Sequence, residues 1–209
     1  MNPPLLSPGA ADALLFDLGR VVLDLDFNRT LRCWAAYAGC DPSHLVQRFD
    51  RDEAYRRHEK GEISDAAFFA SLRNSLGVDL SDAEFLAGWN AIFTGMMPGI
   101  DRLLARAARR LPLYAFSNTN KAHAEYFSSE YAQALAHFRK MFLSSSIRLR
   151  KPDAEAYDHV VDAIGVPAER IVFFDDLAEN IVAARKQGLI AIHVTSPGEV
   201  AKSLEALGI

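Results

Sequence analysis

Leu14–Leu15–Phe16–Asp17–Leu18–Gly19 is a short apolar run that ends on a carboxylate. The pattern returns in Tyr114–Ala115–Phe116–Ser117–Asn118 and in Val172–Phe173–Phe174–Asp175–Asp176. Between the last two lies Arg150–Lys151–Pro152, which supplies one lysine. Apolar runs of this length read as strands buried on both faces of a parallel sheet, and in open parallel sheets ligands gather at the carboxyl ends of the strands. Asp17, Ser117 and the Asp175–Asp176 pair are therefore expected to meet at one crevice, with Lys151 in the same series.

Helical and extended segments alternate around these runs. Helices are predicted over residues 100–110, 155–164 and 179–187, the last stopped by Gly188, with helical spacing also over 123–127 and 131–138. Strands are predicted over 113–116, near 141–143, over 171–174 and over 189–194. This rhythm implies a parallel sheet covered by helices on both faces. A second apolar run, Val21–Val22–Leu23, alternates into Asp24 and Asp26. From Phe27 to about Gly95 the spacing is helical throughout. Asp41–Pro42 reads as an N-cap with proline at the first helical position, and Gly61 and Gly77 fall where helices stop. Ser81–Asp82–Ala83–Glu84 has the spacing of a capping box. The expected architecture is α/β: a Rossmann-like parallel sheet core from residues 1–26 and 96–209, with a small inserted bundle of about four helices, residues 27–95, as a cap.

Composition narrows the classes. A chain of 209 residues holds one well-buried core plus a modest insertion. A formal charge of −4, with no basic stripe interleaved with aromatics, argues against a nucleic-acid partner. No apolar stretch approaches the ~20 residues of a membrane span. The first fifteen residues carry three prolines and no basic n-region, unlike a secretory signal. Cys33 and Cys40 lack metal-site spacing and read as reduced structural thiols. A cytoplasmic protein is expected, monomeric or a small homo-oligomer.

A carboxylate at a strand end can attack phosphorus and split one hard displacement into two easier ones, which makes Asp17 the candidate nucleophile. A lone Phe-Asp dipeptide also fits a strand-end aspartate capping the next turn. Asp175–Asp176 shifts the balance, because adjacent carboxylates repel unless a cation lies among them. Three carboxylates in one crevice demand a hard divalent ion, and all-oxygen ligation favours magnesium. Ser117, together with backbone N–H groups of the following turn, can hold phosphate oxygens. Lys151 can stabilise charge developing on a transferred group, or lie at the surface before a proline turn.

The four stretches resemble, in order, the motifs of the haloacid dehalogenase superfamily, with the helical insert matching the small cap after its first strand. The resemblance implies Asp17 as nucleophile and magnesium ligand, Gly19 lending its backbone carbonyl to the metal, Ser117 and Asn118 binding phosphate, and Lys151 steadying both. It implies Asp176 as the main acidic-motif ligand, because Asn180 stands four residues on, with Asp175 beside it. The segment from Phe16 to Arg29, the cap stretch His58–Glu59–Lys60–Gly61–Glu62–Ile63–Ser64 and Ser117–Asn118–Thr119–Asn120 are similar to the bacterial α-D-glucose-1-phosphate phosphatases. That similarity implies magnesium-dependent hydrolysis of small sugar phosphates, α-D-glucose 1-phosphate first among them, so the expected partner is a small phosphorylated metabolite. In the cap, His58, Glu59 and Lys60 at a helix end could face the crevice and read sugar hydroxyls, with His58 the candidate substrate-binding residue; a charged, exposed helix end fits the stretch equally.

Two positions depart from the patterns. Gly19 stands where most phosphatases of the superfamily carry a second aspartate as general acid, a group typically worth ~10²–10⁴-fold. An anomeric hydroxyl leaves more readily than an ordinary alcohol, so Gly19 suits a sugar 1-phosphate. Arg148 stands where glycine is usual in the phosphatase group; so near Lys151 it could add anion affinity or point to solvent, the latter being favoured. Dehalogenation of 2-halo acids, which needs no metal, and a weakly catalytic binding protein are the alternatives.

Overall fold

The computed structural model describes residues 6–209. Its sheet has the strands β1 (Ala13–Phe16), β4 (Leu113–Ser117), β5 (Phe138–Leu143), β6 (Ile171–Asp175) and β7 (Ile190–His193), all parallel in the order β5-β4-β1-β6-β7. The two-residue period of a strand explains why the central runs β1 and β6, covered on both faces, are apolar up to their carboxyl ends, while the edge strand β5 carries the exposed Arg139 and Lys140. Leu14 and Phe16 of β1, with Val172 and Phe174 of β6, enter one buried cluster with α6 (Ile100–Ala108) and α12 (Pro197–Ala206). Ala13 and Leu15, with Ile171 and Phe173, enter a second cluster with α10 (Ala154–Ile164) and α11 (Ala178–Lys186). Phe16 stacks on Phe174 at 4.7 Å between centroids, which fixes the register of the two central strands. The topological switch therefore falls at β1.

Five helices, α1 (Phe27–Ala38), α2 (Pro42–Val46), α3 (Glu53–Glu59), α4 (Asp65–Leu76) and α5 (Asp82–Asn90), lie between β2 (Leu23–Leu25) and β3 (Phe93–Met96). They pack mainly around a third cluster that contains Trp34, Phe68, Phe69, Phe85 and Trp89. Trp34 stacks on Trp89 at 5.8 Å and donates its indole N–H to the carbonyl of Phe85. The helix ends obey the expected chemistry: Asp41 caps α2, the capping box of Ser81 and Glu84 is complete, and Gly77 ends α4 in the left-handed region. Asp26 caps α1 through Asn28 N–H and pairs with Arg32.

Several expectations need correction. Phe93–Met96 is a strand, not the tail of a helix. Its backbone pairs antiparallel with β2. The apolar positions 85, 86, 89, 92 and 93 continue a helical period, but the helix stops at Asn90 and the Ile92 carbonyl accepts from Asp26 N–H. Residues 131–138 hold only the short α8 (Ala132–Leu135), after α7 (Lys121–Glu130), and β5 begins at Phe138. A short α9 (Ser144–Ile147) follows β5. Val21 and Val22 lie ahead of β2 rather than in it, and α12 was not foreseen. Among the described residues no helix is long and apolar enough to cross a membrane.

Candidate active site

Strand ends β1, β4 and β6 bring the candidate residues to one crevice. The Asp17 N–H donates to the Phe174 carbonyl at 2.8 Å, so the nucleophile candidate is anchored to the strand that carries the acidic pair. Lys151, 1% exposed, donates from Nζ to Asp17 Oδ1 at 2.8 Å, Asp175 Oδ2 at 2.7 Å and the Phe116 carbonyl at 2.8 Å. All three donors of the ammonium are spent. The reading of Lys151 as a surface lysine is excluded. Burial opposes its charge, but the carboxylates of Asp17 and Asp175 outweigh burial and hold its pKa above the usual lysine value.

One oxygen each of Asp17, Asp175 and Asp176 lie within 4.8 Å of one another. The three carboxylates share a single lysine charge. Burial accordingly raises Asp17 to about 7, against the pull of Lys151 and with a further push from Asp175. Burial, then the Asp175 charge, likewise raises Asp176. A hard divalent cation relieves this excess of negative charge, and oxygen donors alone fit magnesium or calcium. Asp175 is fully buried and already accepts from Leu177 N–H, Asn180 Nδ2 and Lys151 Nζ. Asn180 thus serves Asp175, so its spacing does not single out Asp176 as the sequence reading supposed. Asp176 itself lines the crevice.

Gly19 also lines the crevice, beside Leu25. A Cβ at this position would stand 2.9 Å from Leu25 Cδ1, so the space is filled by an apolar side chain. Ser117 is 5% exposed at the end of β4 and faces the same cavity. The Asn118 side chain is committed to the protein: its amide donates to the Lys151 carbonyl and accepts from the Lys151 N–H, clamping two loops, so a phosphate contact from this residue falls to its backbone. The Thr119 N–H is likewise taken, by Ser144 Oγ at 2.8 Å. Arg148 is exposed and left-handed at φ 59°, a conformation that glycine adopts without strain.

His58 does not reach the crevice. Its ring stacks on Phe68 at 4.2 Å and Nε2 pairs with Asp65 at 2.6 Å, inside the helical bundle and away from the site. The next residue, Glu59, lines the cavity instead, bonded to Arg150 across the seam at 3.0 Å. Tyr55, one turn earlier on α3, shares that lining, and burial with the Glu59 charge pushes its phenol up. Adjacent helical residues point about 100° apart, and which of 58 and 59 faced the site depended on Phe68, a tertiary partner. Phe27 and Trp89 were also missed as cavity residues; their apolar helical spacing read only as core. The cavity holds about 500 Å³.

Comparison with known proteins agrees with this geometry. D-ribitol-5-phosphate phosphatase of Bacteroides thetaiotaomicron is 25% identical over 182 residues, covering 84% of this chain and 87% of that protein. Drimenol cyclase drtB of Aspergillus calidoustus is 29% identical over 209 residues, covering 92% of this chain, which spans only 35% of that longer protein. A HAD family enzyme of B. thetaiotaomicron, crystallised with magnesium and inorganic phosphate, superposes with a TM-score of 0.78 at 25% identity, over 88% of this chain and 93% of that one. Residues 11–188 match the haloacid dehalogenase-like hydrolase family, and the chain belongs to it.

Proposed function

We propose that the protein is a magnesium-dependent phosphatase of small phosphate monoesters. The observation that carries this reading is the convergence of Asp17, Asp175 and Asp176 around one point with Lys151 buried among them. The names of the ribitol-phosphate phosphatase and of the magnesium–phosphate complex support it. Asp17, Asp176, Asp175 and the Gly19 carbonyl would hold magnesium, which when bound supplies the charge that offsets repulsion between carboxylate and phosphate. Asp17 attacks phosphorus as the bond to the ester oxygen breaks, giving an aspartyl-phosphate that water hydrolyses. Lys151 holds Asp17 Oδ1 in place, and the Ser117 hydroxyl offers a donor to a phosphate oxygen. The helical bundle acts as a cap that limits bulk water at the site.

The motif resemblance singles out α-D-glucose 1-phosphate. The feature of that ester which the site supports is its leaving oxygen, because with Gly19 in place of an acid the leaving group departs as an anion. Asp17→Asn tests the reading. Phosphate release with magnesium should fall at least ~10³-fold, as expected for loss of a covalent nucleophile, while the fold is retained. A chelator should silence phosphate release by the native enzyme; halide release from a 2-halo acid that persists in chelator would instead favour the metal-free dehalogenase reading.

A further inference from the structure

The cavity beside Asp17 has a second kind of surface that the phosphoryl chemistry leaves unused. Five rings that line it form a continuous belt: Phe27 to Trp89 at 6.3 Å between centroids, Trp89 to His123 stacked at 4.7 Å, His123 to Phe93 at 5.1 Å, and Phe93 to Phe127 at 6.0 Å. The belt is uncharged. Burial drives His123 down to about 3, and its ring nitrogens are held by Asn120 and by the Trp89 carbonyl. Three polar side chains beside the belt are spent on the protein itself, the Asn118 amide on Lys151, Asn120 on His123 and Glu59 on Arg150, while Arg20, Arg51 and Thr119 line other parts of the cavity. Hydroxyls of a polyol laid against the rings themselves would give up water without finding partners there, which is unfavourable. Leu25 adds a methyl where a side chain at position 19 would begin.

We propose that the preferred substrate carries its phosphate on an sp² oxygen of an apolar body, as an aryl or enol phosphate. This rests on the phosphatase reading and narrows it. The missing acid requires a leaving oxygen that is stable as an anion, and the aromatic belt requires a body that prefers contact with rings to contact with water. The step balances without a proton donor. Asp17 forms a bond to phosphorus, the bond from phosphorus to the ester oxygen breaks, and its electron pair leaves as phenolate or enolate. Water then cleaves the aspartyl-phosphate to carboxylate, phosphate and the proton that the phenolate or enolate takes up.

The test compares kcat/KM, with magnesium, for phenyl phosphate, 1-cyclohexenyl phosphate, cyclohexyl phosphate, α-D-glucose 1-phosphate and acetyl phosphate. The better of the first two should exceed cyclohexyl phosphate, similar in size but with a poor leaving group, by at least ~10²-fold. It should exceed glucose 1-phosphate by about tenfold or more. Which of the two leads distinguishes an aryl from an enol substrate. Phe27→Ala should raise KM for the leading ester with little change in kcat, and should affect acetyl phosphate, which has no apolar body, much less. Phe27→Leu gives the same comparison should the alanine variant fail to fold. Glucose 1-phosphate or cyclohexyl phosphate matching the unsaturated esters would overturn the inference and leave the phosphatase reading standing. So would Phe27 variants that depress every substrate equally. Silence on all five esters from folded, magnesium-loaded protein would overturn both.

Discussion

Lys151 shows how much of this site rests on single residues. Its ammonium sits between two carboxylates at 2.7 and 2.8 Å and within 5.2 and 5.4 Å of the centroids of Phe116 and Phe173. Removing the charge leaves Asp17 and Asp175 facing each other in a buried space. Breaking a buried pair by deleting one partner typically costs ~3–5 kcal/mol. Lys151→Met is therefore expected to lower unfolding stability by about that much, read as a lower urea midpoint at unchanged slope; a shift of less than ~1 kcal/mol would mean that the carboxylates relax into water. Asp17, Ser117 and the Asp175–Asp176 pair were legible in the sequence because each stands at a strand end, where a buried apolar run makes the position of the next side chain predictable; Lys151, in a turn between α9 and α10, was legible only from its place in the series of motifs. The side-chain role of Asn118 was not, nor was the choice between His58 and Glu59 as the residue that faces the crevice. Both depend on partners distant in the chain, Phe68, the Lys151 backbone and Arg150, and no local pattern encodes those.

Elements differ in legibility for a related reason. Four of the five sheet strands are mainly apolar runs and read as strands with ends close to those observed, whereas β5 carries the exposed Arg139 and Lys140 after Phe138, and its sequence reads as strand only near 141–143. β3 carries Thr94 and Gly95 and is held by pairing with β2, so its identity lies in the partner strand more than in its own four residues. The seam between α3 and α9 is equally tertiary. Ser144 Oγ donates to the Glu59 carbonyl at 2.7 Å, and Arg150 closes on the Glu59 side chain. Gly61, at φ 65°, follows α3 so closely that a Cβ there would stand 2.4 Å from the Ser145 carbonyl oxygen. Gly61→Ala is expected to cost roughly 1–3 kcal/mol through left-handed strain, with the clash at the seam added. Faster hydrogen exchange in both α3 and α9 would show that the seam has opened. Exchange confined to the residues flanking position 61 would mean that the strain stays local and the two elements are not joined there.

At the scale of the whole molecule, the buried charge links stability to pH and to metal. Burial raises Asp17 from 3.8 to about 7, so between those values the folded state keeps a proton that the unfolded chain gives up. This contribution to stability is fully present below the unfolded pKa and is lost as pH rises through about 7; Asp176, also raised by burial, adds in the same direction. The metal-free protein should therefore lose stability from this cluster as pH climbs from 4 to 8. Magnesium acts in the opposite sense, since it binds the deprotonated carboxylates and must displace protons at low pH. At a concentration near 100 times Kd it contributes ~2.7 kcal/mol, or roughly 5–10 °C in Tm for a chain of this size. That gain should appear in full near pH 8 and shrink markedly at pH 5. Asp176→Asn should weaken it at both. Equal stabilisation by magnesium at pH 5 and pH 8 would show that the ion binds somewhere other than the three converging aspartates, and the catalytic reading of Asp17 would lose its electrostatic basis.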